Sequence, residues 1–122
     1  MFFQPSEEQL AGIPRLYETE HIPTEDKVIQ AHFYFGNSHW FIVEYDQVDT
    51  LYGFCTLNGD LEMAEWGYVS FDELKRFQIQ DVFEVVFDAT WTPMPAMKVP
   101  LIKQARGIEM KQKEAFHNAE SS

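Results

Sequence analysis

Apolar and polar residues alternate with a period of two through much of the first half of the chain, the signature of strands buried on one side. Over residues 28–35 this places Ile29, Ala31, Phe33 and Phe35 on one side and Gln30, His32 and Tyr34 on the other. Gly36, Asn37 and Ser38 supply turn chemistry, so residues 39–45 are expected to return as a hairpin partner. In that strand Phe41, Val43 and Tyr45 would share one face, and Trp40, Ile42 and Glu44 the other. Turns over residues 46–50 and at Asn58, Gly59 and Asp60 delimit two further strands, 51–57 and 63–69. Four strands in succession predict an antiparallel meander.

Helical signals flank the meander. Ser6-Glu7-Glu8-Gln9 has the form of a capping box and opens a short helix that Gly12, Ile13 and Pro14 stop. Residues 17–27 are polar, contain Pro23 and read as a surface loop. Ser70-Phe71-Asp72-Glu73 repeats the capping box and starts a second short helix through Phe77, with Leu74 and Phe77 spaced to face the sheet. Residues 82–87 are rich in valine and phenylalanine and read as a fifth strand, while Pro93 and Pro95 end regular structure after Trp91. Residues 102–122 suit a helix broken at Gly107, and their poor apolar spacing predicts a loosely docked or frayed tail. The expected class is α+β: a four- to five-stranded antiparallel meander, short helices before it and after its fourth strand, and a helical or mobile C-terminal segment. Residues 1–100 would form the domain and 101–122 the tail.

With 122 residues, 45% of them hydrophobic, the chain can fill one core. Its longest apolar runs are four residues, as in Trp40 to Val43, far short of the ~18 that span a bilayer. Its start has neither the basic patch nor the apolar stretch of a secretory signal, and Cys55 is the only cysteine, so the expected setting is cytoplasmic and reducing. The net charge is −11, which repels phosphate backbones and disfavours direct nucleic-acid binding. That charge is uneven: four basic and seventeen acidic residues up to Thr92 give −13, and five basic and three acidic from Pro93 onward give +2.

Several blocks resemble the domain of unknown function 2958 family over roughly residues 10 to 95. They are Ile13-Pro14-Arg15-Leu16-Tyr17-Glu18-Thr19-Glu20, Ala31-His32-Phe33-Tyr34-Phe35 with Trp40 and Glu44-Tyr45-Asp46, Tyr52-Gly53-Phe54, and Glu65-Trp66-Gly67-Tyr68-Val69-Ser70-Phe71-Asp72-Glu73-Leu74. The chain departs from the family's Gly-Leu-Pro-Ile-Glu-Arg-Asp stretch, carrying Gln78-Ile79-Gln80-Asp81-Val82-Phe83-Glu84 there. The resemblance implies a small bacterial α+β protein, often carried on plasmids, phages and integrating elements beside genes for host defence or transfer. It brings no catalytic residues.

Candidate chemistry is sparse. Glu44 and Glu65 lie in neighbouring segments and, with Trp40, Trp66 and Tyr68, could form an aromatic face bearing two carboxylates. Desolvated acids more often serve as hydrogen-bond acceptors for turns and tyrosines, so a structural role is the simpler expectation. His32 and His39 flank one turn without a third ligand, and Cys55 sits in a strand as a small hydrophobe, so neither a metal nor a nucleophile is expected. No phosphate loop, nucleophile elbow or cofactor motif occurs, and no enzyme is expected. The acidic body can serve simply to keep the protein soluble; the competing reading is that the acids Glu18, Glu20, Glu25, Asp26, Asp46, Asp49, Asp60 and Glu62, clustered in loops, present a line of phosphate-like charge. The favoured reading is a non-enzymatic acidic interaction protein whose partner is a host protein or complex, specifically one that handles nucleic acid in defence and is blocked by phosphate mimicry. The alternative is a small-ligand or peptide-binding module using the Trp40, Glu44, Glu65, Trp66 and Tyr68 face.

Overall fold

The computed structural model describes residues 5–76, 78–79 and 83–121. Helix α1 (Glu7–Ala11) starts at the expected capping box, with Gln9 N–H donating to Ser6 Oγ and Ser6 N–H to Gln9 Oε1. A loop with one 3₁₀ turn (Thr24–Asp26) leads to β1 (Val28–Ile29), β2 (Ala31–Phe35), β3 (Ser38–Tyr45), β4 (Thr50–Thr56) and β5 (Glu65–Ser70). Then follow α2 (Phe71–Arg76), β6 (Gln78–Ile79), β7 (Phe83–Glu84), β8 (Val86–Phe87), β9 (Met94–Pro95), a 3₁₀ turn (Ala96–Lys98) and α3 (Pro100–Ser121). The main sheet has the order β5-β4-β3-β2-β8 and is antiparallel throughout, so the fold is α+β and its centre is the expected meander.

The edges differ from the sequence reading. The strand expected over residues 28–35 is interrupted at Gln30, and β1 leaves the main sheet to pair with β9. Residues 94–95 therefore form a strand although both neighbouring prolines argued against one. Pro95 is tolerated because a two-stranded ribbon leaves one side of each strand unpaired. The expected fifth strand is divided as well: β7 pairs with β6, and β8 alone joins the sheet beside β2. Phe77 and Val82, named in those expectations, lie outside the described residues.

The largest correction lies inside β3. Ile42 pairs with Gly53 and Glu44 with Tyr52, so Val43 is an extra residue in a β-bulge. Beyond it the alternation is inverted. Tyr45 joins Trp40 and Ile42, whereas Glu44 falls in with Phe41 and Tyr52 rather than with Trp40 as expected. Gly53 accommodates the bulge, since a Cβ there would stand 2.0 Å from the carbonyl oxygen of Phe41.

The sheet is covered on both faces, which is why seven of the eight residues of β3 are buried and the expected one-sided strand is not found. On the first face Ala31, Phe33, Trp40, Ile42 and Leu51 pack with Ile13, Val85, Phe87 and the Phe71 and Leu74 side chains of α2. On the second, Phe41, Val43 and Phe54 pack with Ala96, Val99, Ile102 and Ala105. Phe33 and Phe41 thus serve opposite cores. Helix α3 runs unbroken through Gly107. Its beginning is docked rather than frayed, because Ile102 and Ala105 cover the aromatic second face, while residues 109–118 are exposed. No helix among the described residues is long and apolar enough to cross a membrane.

Candidate functional site

Register across β3, β4 and β5 builds two rows on the second face. Phe41, Phe54 and Trp66 form one; Glu44, Tyr52 and Tyr68 form the other. The first row lies in the core completed by α3. The second stays open, with Tyr68 57% exposed and Tyr52 half-buried. Their ring centroids are 5.0 Å apart, and Trp66 stacks on Tyr52 at 6.0 Å.

Glu44 is only 4% exposed, so its carboxylate must be satisfied internally. Oε1 accepts from Tyr17 N–H at 3.0 Å, and Oε2 accepts from Thr19 N–H at 3.1 Å and from the Thr19 hydroxyl. Buried Lys27 donates to the Thr19 carbonyl and, at 3.1 Å, to its Oγ1, so Thr19 bridges two buried charges of opposite sign. This network holds Tyr17, at φ 72°, beside the open row. The neighbouring Tyr17 hydroxyl, then desolvation, raise the Tyr68 hydroxyl above the ordinary tyrosine range, with smaller contributions from Tyr52 and Glu44. Burial, then Glu44, raises Tyr52. Both phenols stay neutral at physiological pH.

Trp66 also lines a groove of about 390 Å³ between α3 and the β4–β5 edge. Phe54, Leu61, Ala64, Ile102 and Ala105 supply apolar wall, and Glu25, Glu62, Glu65, Glu109 and Arg106 the polar lining. Arg106 Nη2 stands 3.6 Å from Glu25 Oε1, the groove's one cation against four acids among its described lining.

Of the residues singled out in the sequence, Glu44, Trp66 and Tyr68 come together on the second face. Trp40 does not join them: at 8% exposure it is core on the first face. Glu65 pairs with Cys55, whose neighbours lie in that first core, so it stands on the opposite pleat from Trp66 and Tyr68 and reaches the site only at the groove rim. Tyr17 and Tyr52 were missed. The bulge that aligns Tyr52 with Glu44 has no period-two signature, and Tyr17 arrives through backbone hydrogen bonds.

The eight loop acids divide. Asp46 Oδ1 accepts from the N–H groups of Val48, Asp49 and Thr50; Asp49 accepts from Asp72 N–H and Ser70 Oγ; Asp60 accepts from the N–H groups of Glu62 and Met63. These bonds hold Asp46 and Asp49 below the usual carboxylate range. They are turn and helix caps. Glu25 pairs with Arg106, whereas the carboxylates of Glu18, Glu20, Asp26 and Glu62 make no hydrogen bond or ion pair among the described residues.

A chain of three side chains on the same face was not anticipated. His32 Nδ1 lies 2.9 Å from Asp88 Oδ2, and His32 Nε2 lies 2.9 Å from His39 Nδ1. Asp88 follows the short edge strand β8, a placement that residue spacing does not disclose. Among the described residues no group of three or more His, Cys, Asp and Glu side chains could hold a metal. Burial, then Glu65, pushes the Cys55 thiol up to about 11, which keeps it a thiol.

The family model for DUF2958, described as a protein of unknown function, matches residues 8–110. No curated protein and no solved structure matches the chain.

Proposed function

The chain belongs to the DUF2958 family of proteins of unknown function, and we propose that it is a non-enzymatic interaction protein that grips a basic, partly apolar segment of another protein. The groove between α3 and the β4–β5 edge carries this reading. Its apolar wall of Phe54, Trp66, Ile102 and Ala105 would receive an aliphatic or aromatic side chain, and Glu62, Glu65 and Glu109 at its rim would face lysine or arginine. A volume of about 390 Å³ also suits a small ligand, but an acidic rim on an acidic protein favours a cationic segment. The net −13 up to Thr92 would speed the approach of such a partner.

Selection from a displayed random-peptide library tests the reading. The expected binders combine basic and apolar residues and are lost with Ala64→Trp or Gln112→Trp, which fill the groove from opposite walls. Binders without basic residues, or indifferent to both variants, would contradict it.

One observation favours a second reading. Glu18, Glu20, Asp26 and Glu62 keep unengaged carboxylates, available to stand in for phosphates against a host complex that handles nucleic acid. The association with mobile elements that the family resemblance implies points the same way. Under mimicry, DNA would compete for the partner and amides at these positions would slow association. Under the groove reading, DNA would not compete.

A further inference from the structure

The open row of Glu44, Tyr52 and Tyr68, with Tyr17 beside it, lies next to the groove and is not used by it. We infer that this row is a subsite for an arginine guanidinium, an inference that rests on the groove reading for the partner and on the row's own geometry for the ligand. Tyr17 and Tyr68 are 59% and 57% exposed, and the rings of Tyr52, Tyr68 and Trp66 form a continuous aromatic strip with centroid spacings of 5.0 and 6.0 Å. Ring faces carry negative potential, and a cation within about 6 Å of a centroid is attracted to them.

Beneath the strip stands Glu44, whose hydrogen bonds fix its carboxylate in place. Lys27 reaches it through Thr19, and the carboxylate lies within electrostatic reach of its cross-strand neighbour Tyr52 and of Tyr68. The backbone N–H of Tyr17 is tied to Glu44 Oε1, which fixes where its Cα stands beside the row. A planar, weakly hydrated guanidinium stacks on such rings better than a compact ammonium, which selects arginine over lysine. Trp66 and Tyr68 are two residues apart on β5, about 7 Å by strand rise. An extended partner segment could therefore set an apolar side chain in the groove and, two residues along, an arginine on the tyrosines.

The test follows the tyrosine ring resonances by NMR during titration with N-acetyl-arginine-N-methylamide and with its neutral citrulline isostere. The arginine amide is expected to shift the signals of Tyr17, Tyr52 and Tyr68, and the citrulline amide to leave them in place. Tyr68→Leu should weaken the arginine response about two- to five-fold, whereas Tyr68→Phe, which keeps the ring, should retain it. Equal shifts from both amides, or a response unchanged by Tyr68→Leu, would overturn the subsite. So would an arginine response abolished by Ala64→Trp, because it would place the cation in the groove. Library peptides that bind and are lost with Ala64→Trp, in a protein whose tyrosines ignore the arginine amide, would overturn the subsite alone and leave the groove standing.

Discussion

Glu44 shows how much one buried carboxylate can organise. Replacing it by alanine leaves the Tyr17 and Thr19 N–H groups and the Thr19 hydroxyl without their acceptor. A buried donor left without its partner costs about 1–3 kcal/mol, so Glu44→Ala should lower stability in urea melts by about 2–5 kcal/mol. A loss under ~1 kcal/mol would mean the loop is held elsewhere. The histidine chain makes a separate prediction. Ionised Asp88 only accepts, so His32 donates from Nδ1 and its Nε2 accepts from His39 Nδ1, an arrangement that both rings satisfy when neutral. Burial lowers the pKa of both, and for His39 the neighbouring His32 adds to the shift. The unfolded chain then binds protons that the folded state refuses. Stability from this pair is complete above about pH 6.5 and lost as pH falls through that value toward the depressed folded ones. His39→Gln, which can still donate to His32, should show a shallower decline than wild type between pH 7.5 and 5 in urea melts; parallel curves would refute the linkage.

At the scale of elements, the bulge and the long helix decide where the site lies. Gly53→Ala would drive a Cβ to within 2.0 Å of the Phe41 carbonyl oxygen, and backbone cannot yield as a flexible side chain does. A cost of about 3 kcal/mol or more is expected in denaturant melts, and a neutral result would place the bulge elsewhere. Truncation after Pro100 removes Ile102 and Ala105 from the second core and should cost about 2–5 kcal/mol, whereas truncation after Gln112 should leave the melting temperature unchanged. The meander, both capping serines and the turn residues were legible because each has a local signature. The bulge was not: Trp40 to Val43 is an uninterrupted apolar run, and where both faces of a strand are buried, period two carries no information about which way Glu44 points. Gly53 was its only trace. Docking of α3 escaped notice because a helix needs only a few apolar residues when the sheet face it covers is aromatic.

For the molecule as a whole, the proposed function would have acidity and an apolar groove act at different stages of one encounter. Under that proposal the body's charge would steer a basic partner over distances comparable to a Debye length of about 8 Å at physiological ionic strength, and the groove would determine how long it stays. Raising salt should therefore slow association, while filling the groove should speed dissociation. The most direct measurement is the calorimetric Kd of a library-selected basic peptide for wild-type protein and for Ala64→Trp, each shown to share the wild-type melting temperature. The expected result is a loss of about tenfold or more in the variant, equivalent to ~1.4 kcal/mol. Equal affinity for the two proteins would contradict the groove as the binding site.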